Sequence, residues 1–178
     1  MRVLYDLVIV GGGAAGLTAA LYASRSGLDC IVLDPSSPEG SSIALTDAVE
    51  NYTGFSDIAG FDLIQHFYSH AKSFGANFVR QSLVGIRKNY DGFILECSDS
   101  EVKTKSVILC MGATHKKLGI DGENKFEGRG VSYCAVCDGY FFKDKTVAVI
   151  GGGNTAVTRR PIFLIYANGF LLFTGATH

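Results

Sequence analysis

Hydrophobic positions along the chain fall into blocks whose spacing switches between continuous and helical. Leu7-Val8-Ile9-Val10 is a short unbroken apolar run, the pattern of a strand buried on both faces, and three glycines follow it at once. From about Ala14 to Ser26 the sequence predicts a helix, with Gly27 as its stop. Cys30-Ile31-Val32-Leu33 is a second buried strand that ends at Asp34. Residues 35–60 form a long connection rich in Ser, Gly and Pro, and a loop of that length in a compact domain is usually functional. In AGFDLIQHFYSHAKSFG, the positions Ile64, Phe67, Ala71 and Phe74 recur at spacings of three, four and three, which predicts an amphipathic helix with those four on one face. Several short strands follow, with Asp91-Gly92 as a hairpin turn between LVGIRKN and FILEC. SVILCMGA predicts another buried strand ending in Gly112, with Cys110 as an inert core thiol. The run Val147 to Ile150 predicts one more strand, directly ahead of a second glycine cluster.

Composition narrows the class. With 178 residues, 47% hydrophobic and 19% charged, the chain is globular and long enough for one sizeable core or two small ones. A formal charge of −1 with no basic block predicts no nucleic-acid partner. The longest apolar tract, IFLIYANGFLLF, falls short of the ~20 residues of a membrane span, and the N-terminal apolar run is too short for a signal-peptide core. Five cysteines, odd in number and three of them scattered, do not make a secreted disulfide scaffold. The expected location is cytoplasmic, which makes the sequon at Asn51-Tyr52-Thr53 a chance match.

The first glycine cluster carries chemistry. Gly11, Gly13 and Gly16 give G-x-G-x-x-G between a strand and a helix that opens at Ala14. Gly11 permits the tight turn, Gly13 lets backbone approach a pyrophosphate, and Gly16 lets the helix pack on the strand. The helix N-terminus presents free amides and a positive dipole end to the phosphates. Asp34, 18 residues after Gly16, stands where a carboxylate accepts from ribose hydroxyls. Strand, turn, helix, second strand and terminal acid together predict a dinucleotide site. Gly151, Gly153 and Ala156, with Asn154 and Thr155 between, repeat the turn 140 residues later as G-x-G-x-x-A.

Just before that second turn stands Cys134-Ala-Val-Cys137, followed by Asp138. A structural zinc normally takes four ligands, and after Cys137 the chain offers only the terminal His178. His66 and His70, an i, i+4 pair, lack the glutamate of the zinc-protease motif and are expected on a solvated helix flank, so no metal is predicted. A redox role needs only the two thiols. If Cys134 starts a helix, the amide-rich end favours its thiolate. Asp138 is either a proton shuttle or a simple helix N-cap. Two nucleotide turns flanking a dithiol suggest an electron relay, in which one nucleotide is a flavin.

GGGAAGLTAALYASRSGL, VENYTGF, GRGVSYCAVCDGYFF and KTVAVIGGGNTAV together resemble the low-molecular-weight thioredoxin reductases, over roughly residues 1–157. The S-x-C-A-x-C-D-G segment is the specific part. The resemblance implies an α/β fold: a Rossmann-like, three-layer FAD domain at 1–112, a hinge at 113–126 beginning in GATHKKLGID, and the start of an NADPH and dithiol domain at 127–157. It also implies FAD on Gly11, Gly13, Ala14, Gly16 and Asp34, with Gly40, Ser42, Asn51 and Gly112 nearby. NADPH would lie on Gly151, Gly153, Asn154, Thr155 and Ala156. Cys134 would attack the thioredoxin disulfide, Cys137 would face the flavin, and Asp138 would move the proton. Members of the family are homodimers whose NADPH domain rotates.

Departures from the family are visible. Its Gly-Gly-Gln is replaced by Gly40-Ser41-Ser42, and its Ala-Thr-Gly by Cys110-Met111-Gly112. After Ala156 the expected helix contains Pro161, and only 27 residues follow Gly151. Arg159 and Arg160 come too early for the family's basic cluster. Residues 158–178 are therefore expected to be an aberrant tail from out-of-frame translation, its apolar tract exposed and the chain inactive or nearly so. A flavin-dependent reductase serving another disulfide, and a non-catalytic flavin-binding or structural fragment, are the other two functions the residues allow.

Overall fold

A computed structural model describes residues 4–151 and 167–173. The described chain divides into two compact units, Met1–Ala113 and Thr114–His178.

The first unit is a three-layer α/β arrangement of the Rossmann-like type, as expected. β1 (Tyr5–Val10) leads through the glycine turn into α1 (Ala14–Arg25), and β2 (Cys30–Leu33) returns parallel to β1 in the register Leu7 with Cys30 through Val10 with Leu33. α2 (Gly60–Ser73) crosses to β3 (Asn77–Val79), which extends the parallel set beyond β2. β4 (Leu83–Asn89), β5 (Gly92–Cys97) and β6 (Glu101–Leu109) form an antiparallel meander, giving the order β3-β2-β1-β6-β5-β4. β6 belongs to both parts: Glu101 to Thr104 pair with β5, and Thr104 to Leu109 run parallel beside β1.

This sharing explains the unbroken apolar runs of β1 and β2, whose two faces are both covered. Leu7, Ile9, Cys30 and Val32 pack under the helices with Ala20, Ala23 and Ala71. Val8, Val10, Ile31 and Leu33 pack under the meander with Leu95 and Val102. Burial of each large side chain here contributes about 1.5–3 kcal/mol.

Three expectations in this unit need correction. The buried face of α2 is Gly60, Leu63, Ile64 and Ala71, so Ile64 and Ala71 face inward as expected while Gly60 and Leu63 stand in place of Phe67 and Phe74. Phe67 is only half-buried, and Phe74 is exposed because the helix ends at Ser73 and the next residue leaves the helical phase. Phe74 lies instead beneath the Arg25 guanidinium, 5.1 Å from its ring centre. The hairpin turn is Tyr90-Asp91, and Gly92 already pairs with Asn89. Gly92 is needed for another reason: a Cβ there would strike the Thr104 carbonyl on β6, and its φ is +143°. Finally, the strand predicted from SVILCMGA begins earlier, at Glu101, and stops at Leu109; Ile108 and Leu109 are exposed, and Cys110 is half-buried just beyond the strand.

The second unit holds α3 (Glu123–Phe126), the single-turn α4 (Ala135–Asp138), a 3-10 turn over Gly139–Phe142, β7 (Thr146–Ile150) and β8 (Gly169–Phe173). β8 runs parallel to β7, pairing Thr146 with Gly169 through Ile150 with Phe173. Asn168 secures its start, donating backbone N–H to the Lys145 carbonyl at 3.0 Å and side-chain amide to the Asp144 carbonyl at 3.2 Å. The apolar residues Phe170 to Phe173, placed by the sequence in an aberrant tail, thus lie in a strand ladder.

Candidate functional site

The glycine turn is built by close backbone approach. Gly11 has φ +102°, and a Cβ on it would strike the Cys110 carbonyl. A Cβ on Gly16 would strike the carbonyl oxygen of Gly11, so α1 sits on the turn as only glycine permits. Gly13, the N-cap of α1, is different: its φ is −77°, and a Cβ there would meet only Ser41 Cβ, at 3.9 Å. The front of the turn is open. No side chain caps α1 and no acid stands in its first turn, so the amides and the positive helix end at Ala14 are available to an anion.

Asp34 faces this turn. Its Oδ2 accepts the Gly12 N–H at 2.6 Å, while Oδ1 accepts from the Ser36 N–H at 2.8 Å and the Ser36 hydroxyl at 3.2 Å. Ser37 is buried and donates its hydroxyl to the Gly12 carbonyl at 3.0 Å. Gly12 is thereby held from both sides. Oδ2 retains one acceptor site, and Oδ1 gains one if the exposed Ser36 hydroxyl turns away, which matches the two hydroxyls of a ribose diol. The set fits an adenine dinucleotide: open helix amides, a backbone that can be approached, and a carboxylate at the second strand's end.

Of the other predicted contacts, Gly40 lies within the same loop, its N–H donating to the Ser36 carbonyl at 2.8 Å. Ser42 and Asn51 are exposed and do not join the network around Asp34. The Asn51 loop is closed by a Val49–Ile58 bridge and docks on α2 through aromatic rings, Tyr52 on Phe67 at 5.3 Å and Phe55 on His66 at 5.7 Å. Both members of the histidine pair are exposed on the helix flank, and His70 has its own ring contact, with Phe74 at 5.7 Å. Gly112 is exposed, with φ +72°. Sequence reasoning missed Gly12, Ser36 and Ser37. The middle glycine of the Gly11–Gly13 run was the only signal for them.

In the second unit Cys134 and Cys137 are joined as a disulfide with Cα atoms 5.3 Å apart. Cys134 is the N-cap of α4, and its Sγ accepts the Cys137 N–H at 3.2 Å. Asp138 does not cap the helix with its side chain: it is the last residue of α4, and its carboxylate accepts the Ser132 hydroxyl proton. The same Ser132 oxygen accepts the Cys134 N–H at 3.1 Å. Cys137 is exposed, and Cys134 and Asp138 are half-buried. Val136, Tyr140 and Phe141 are exposed around the turn. Gly151 adopts φ +131°; Gly153, Asn154, Thr155 and Ala156 lie outside the described residues.

Glu123 was not anticipated. It is 4% exposed, accepts the Leu118 and Gly119 amides at 2.8 and 2.7 Å, and accepts the Tyr133 hydroxyl at 2.6 Å. The Tyr133 bond holds its carboxyl below the usual range, with the Leu118 amide adding to the effect. The same bond pushes the Tyr133 phenol up to about 12. Tyr133 also stacks on His115, with centroids 5.1 Å apart and planes 7° from parallel. The residue next to Cys134 is thus strapped to segment 115–119. The three free cysteines are Cys30, Cys97 and Cys110, and burial raises the thiol pKa of Cys97 and Cys110.

Two nucleotide-type glycine turns and a C-x-x-C disulfide define a class, and the sequence profile of the pyridine nucleotide-disulphide oxidoreductases matches residues 5–159. The chain belongs to that family. Within it, the chain is 43% identical over 154 residues to a thioredoxin reductase of Bacillus subtilis, covering 86% of this chain and 48% of that protein. It is 41% identical over 165 residues to a thioredoxin reductase of Listeria innocua, covering 93% of this chain and 51% of that protein. That similarity enters the segment beyond residue 158. The crystal structure of thioredoxin reductase from Streptococcus pyogenes superposes with a TM-score of 0.89 at 35% identity, over 97% of this chain and 56% of that one. The chain spans about half the length of the curated relatives it matches.

Proposed function

We propose that this chain supplies the flavin-binding turn and the redox dithiol of a thioredoxin-disulfide reductase, passing electrons from NADPH via FAD to Cys134–Cys137 and on to thioredoxin. The observation that carries the reading is the disulfide itself, placed on one helical turn with a hydrogen-bonded carboxylate at its end.

Bound FAD would supply a two-electron acceptor able to take hydride from a nicotinamide and reduce a disulfide. Gly11, Gly13, Ala14 and Gly16 would hold its pyrophosphate, and Asp34 its ribose, with Gly40, Ser42, Asn51 and Gly112 contributing nearby. Gly151, Gly153, Asn154, Thr155 and Ala156 would hold NADPH. Cys134 is the attacking sulfur, its Sγ receiving the Cys137 N–H at the start of the turn. Cys137 closes the disulfide, and Asp138 takes the proton. The exposed Val136, Tyr140 and Phe141 offer an apolar rim for a protein substrate. The domain limits follow the same reading, with an FAD domain at 1–112, a hinge at 113–126 and the dithiol domain from 127. It also implies a cytoplasmic homodimer. No helix among the described residues is long and apolar enough to cross a membrane.

Titrating FAD into the purified chain and following flavin fluorescence tests the first half. Saturable, equimolar quenching that Asp34→Ala weakens at least tenfold supports the assignment. Quenching unchanged by Asp34→Ala refutes it.

A further inference from the structure

We infer that Ser132 is a positioning residue for proton transfer at the dithiol: it fixes the Asp138 carboxylate beside the Cys134–Cys137 turn. The inference rests on the proton role given to Asp138 above and adds the residue through which that role is exercised.

The geometry is specific. Ser132 stands two residues before Cys134 and six before Asp138, and one hydroxyl serves both. Its oxygen accepts the Cys134 N–H, which fixes the direction of the O–H; its proton then goes to Asp138 Oδ2. Among the described residues, the one other acceptor in reach of that proton is the Cys134 carbonyl at 3.4 Å, a longer contact than the one to Asp138, so the carboxylate is the favoured acceptor. Asp138 Oδ2 is thereby tied to the backbone of the first cysteine. The Asp138 N–H is tied to the same residue from the other side, donating to the Cys134 carbonyl at 3.0 Å.

A cysteine S–H of the reduced pair gives its proton to the Asp138 carboxylate. The Cys134 thiolate attacks one sulfur of a partner disulfide, forming a mixed disulfide and expelling one partner thiolate. The Cys137 S–H gives its proton to that first partner thiolate; the Cys137 thiolate then attacks Cys134 Sγ, re-forming the intramolecular disulfide and expelling the second partner thiolate, which takes up the proton held by Asp138. The dithiol loses two electrons, the partner gains them, and both protons end on the partner's thiolates. Ser132 enters only the first transfer, by keeping Asp138 where the proton arrives.

The test is oxidation of the dithiothreitol-reduced, desalted chain by oxidised glutathione, timed by loss of protein thiol in acid-quenched samples freed of glutathione. It needs neither flavin nor nicotinamide. Ser132→Ala is expected to slow oxidation about tenfold. Ser132→Thr and Ser132→Val have nearly the same shape and differ in the hydroxyl; threonine should restore the rate to within about twofold and valine should not. In the background of Asp138→Asn, adding Ser132→Ala should cause no further loss, because Ser132 acts through Asp138. Circular dichroism of each variant separates slow chemistry from failure to fold, and the Thr and Val pair carries the test if alanine is not tolerated. Equal rates for Thr and Val, or multiplicative losses in the double variant, overturn the inference alone. A parent-like rate for Asp138→Asn overturns the proton role itself, and the inference with it.

Discussion

Replacing Gly16 by alanine sets two opposed effects against each other. Gly16 lies inside α1, where alanine is favoured by about 1 kcal/mol through helix propensity. Its Cβ, however, would strike the carbonyl oxygen of Gly11 and come within 3.5 Å of Cys110 Cβ. Gly11 cannot yield, since its N–H donates to the Leu33 carbonyl at 2.9 Å and its own α-carbon stands against the Cys110 carbonyl. α1 must therefore lift, opening its contacts with Leu7, Ile9 and Val32. Such overpacking costs about 1–3 kcal/mol, and a rigid backbone obstacle puts this site at the upper end. The expected net loss is ~2 kcal/mol, seen as a lower urea midpoint by circular dichroism at 222 nm, with the slope unchanged. Gly13→Ala is the internal comparison, because its Cβ meets nothing closer than 3.9 Å. It should fold with parent-like stability yet lose flavin affinity, its methyl standing where phosphate would approach. A Gly16→Ala midpoint equal to or above the parent's would refute the close-packing argument.

Thiol counting with Ellman's reagent in guanidinium should give three thiols before reduction and five after; five at the outset from protein kept oxidised would remove the dithiol couple. In the native state Cys97 and Cys110 should react slowly with iodoacetamide at pH 8, because burial raises both thiols; labelling as fast as a free thiol would contradict this. The Glu123–Tyr133 bond should make stability pH-dependent at both ends. The carboxyl's folded value is depressed, so its contribution is full above its ordinary 4.5 and lost as pH falls through the lower folded value. The phenol's is raised, so its contribution is full below 10.0 and lost as pH rises towards about 12. Tyr133→Phe should flatten the alkaline limb of a thermal-midpoint profile; an unchanged limb would place the effect elsewhere.

How much of this was legible depended on whether the determinant was local. β1, the glycine turn, α1 and β2 were readable within a residue or two, since an unbroken apolar run, three glycines and a terminal acid are neighbours in sequence. The C-x-x-C was legible for the same reason. Phe74 misled because periodicity continues past the residue at which a helix stops. Gly92 was read as a turn glycine, but the constraint on it is a carbonyl of another strand. The roles of Ser37, Glu123 and, even inside the S-x-C-A-x-C-D-G segment, Ser132 were invisible because an ordinary polar residue gains its role only from partners the fold delivers. The strand Gly169–Phe173 was missed because Pro161 and an unfamiliar tail masked a five-residue apolar run that could serve as a parallel partner for β7.

The proposed function stands on electron transfer from Cys134 and Cys137 to thioredoxin. Its most direct test is a single half-reaction: the chain is reduced with dithiothreitol, desalted under nitrogen, and mixed with an equal amount of oxidised thioredoxin. Two thiols should appear in thioredoxin for every Cys134–Cys137 disulfide re-formed, and Cys134→Ser should abolish the transfer. Thioredoxin that stays oxidised while the parent chain stays fully reduced would contradict the account.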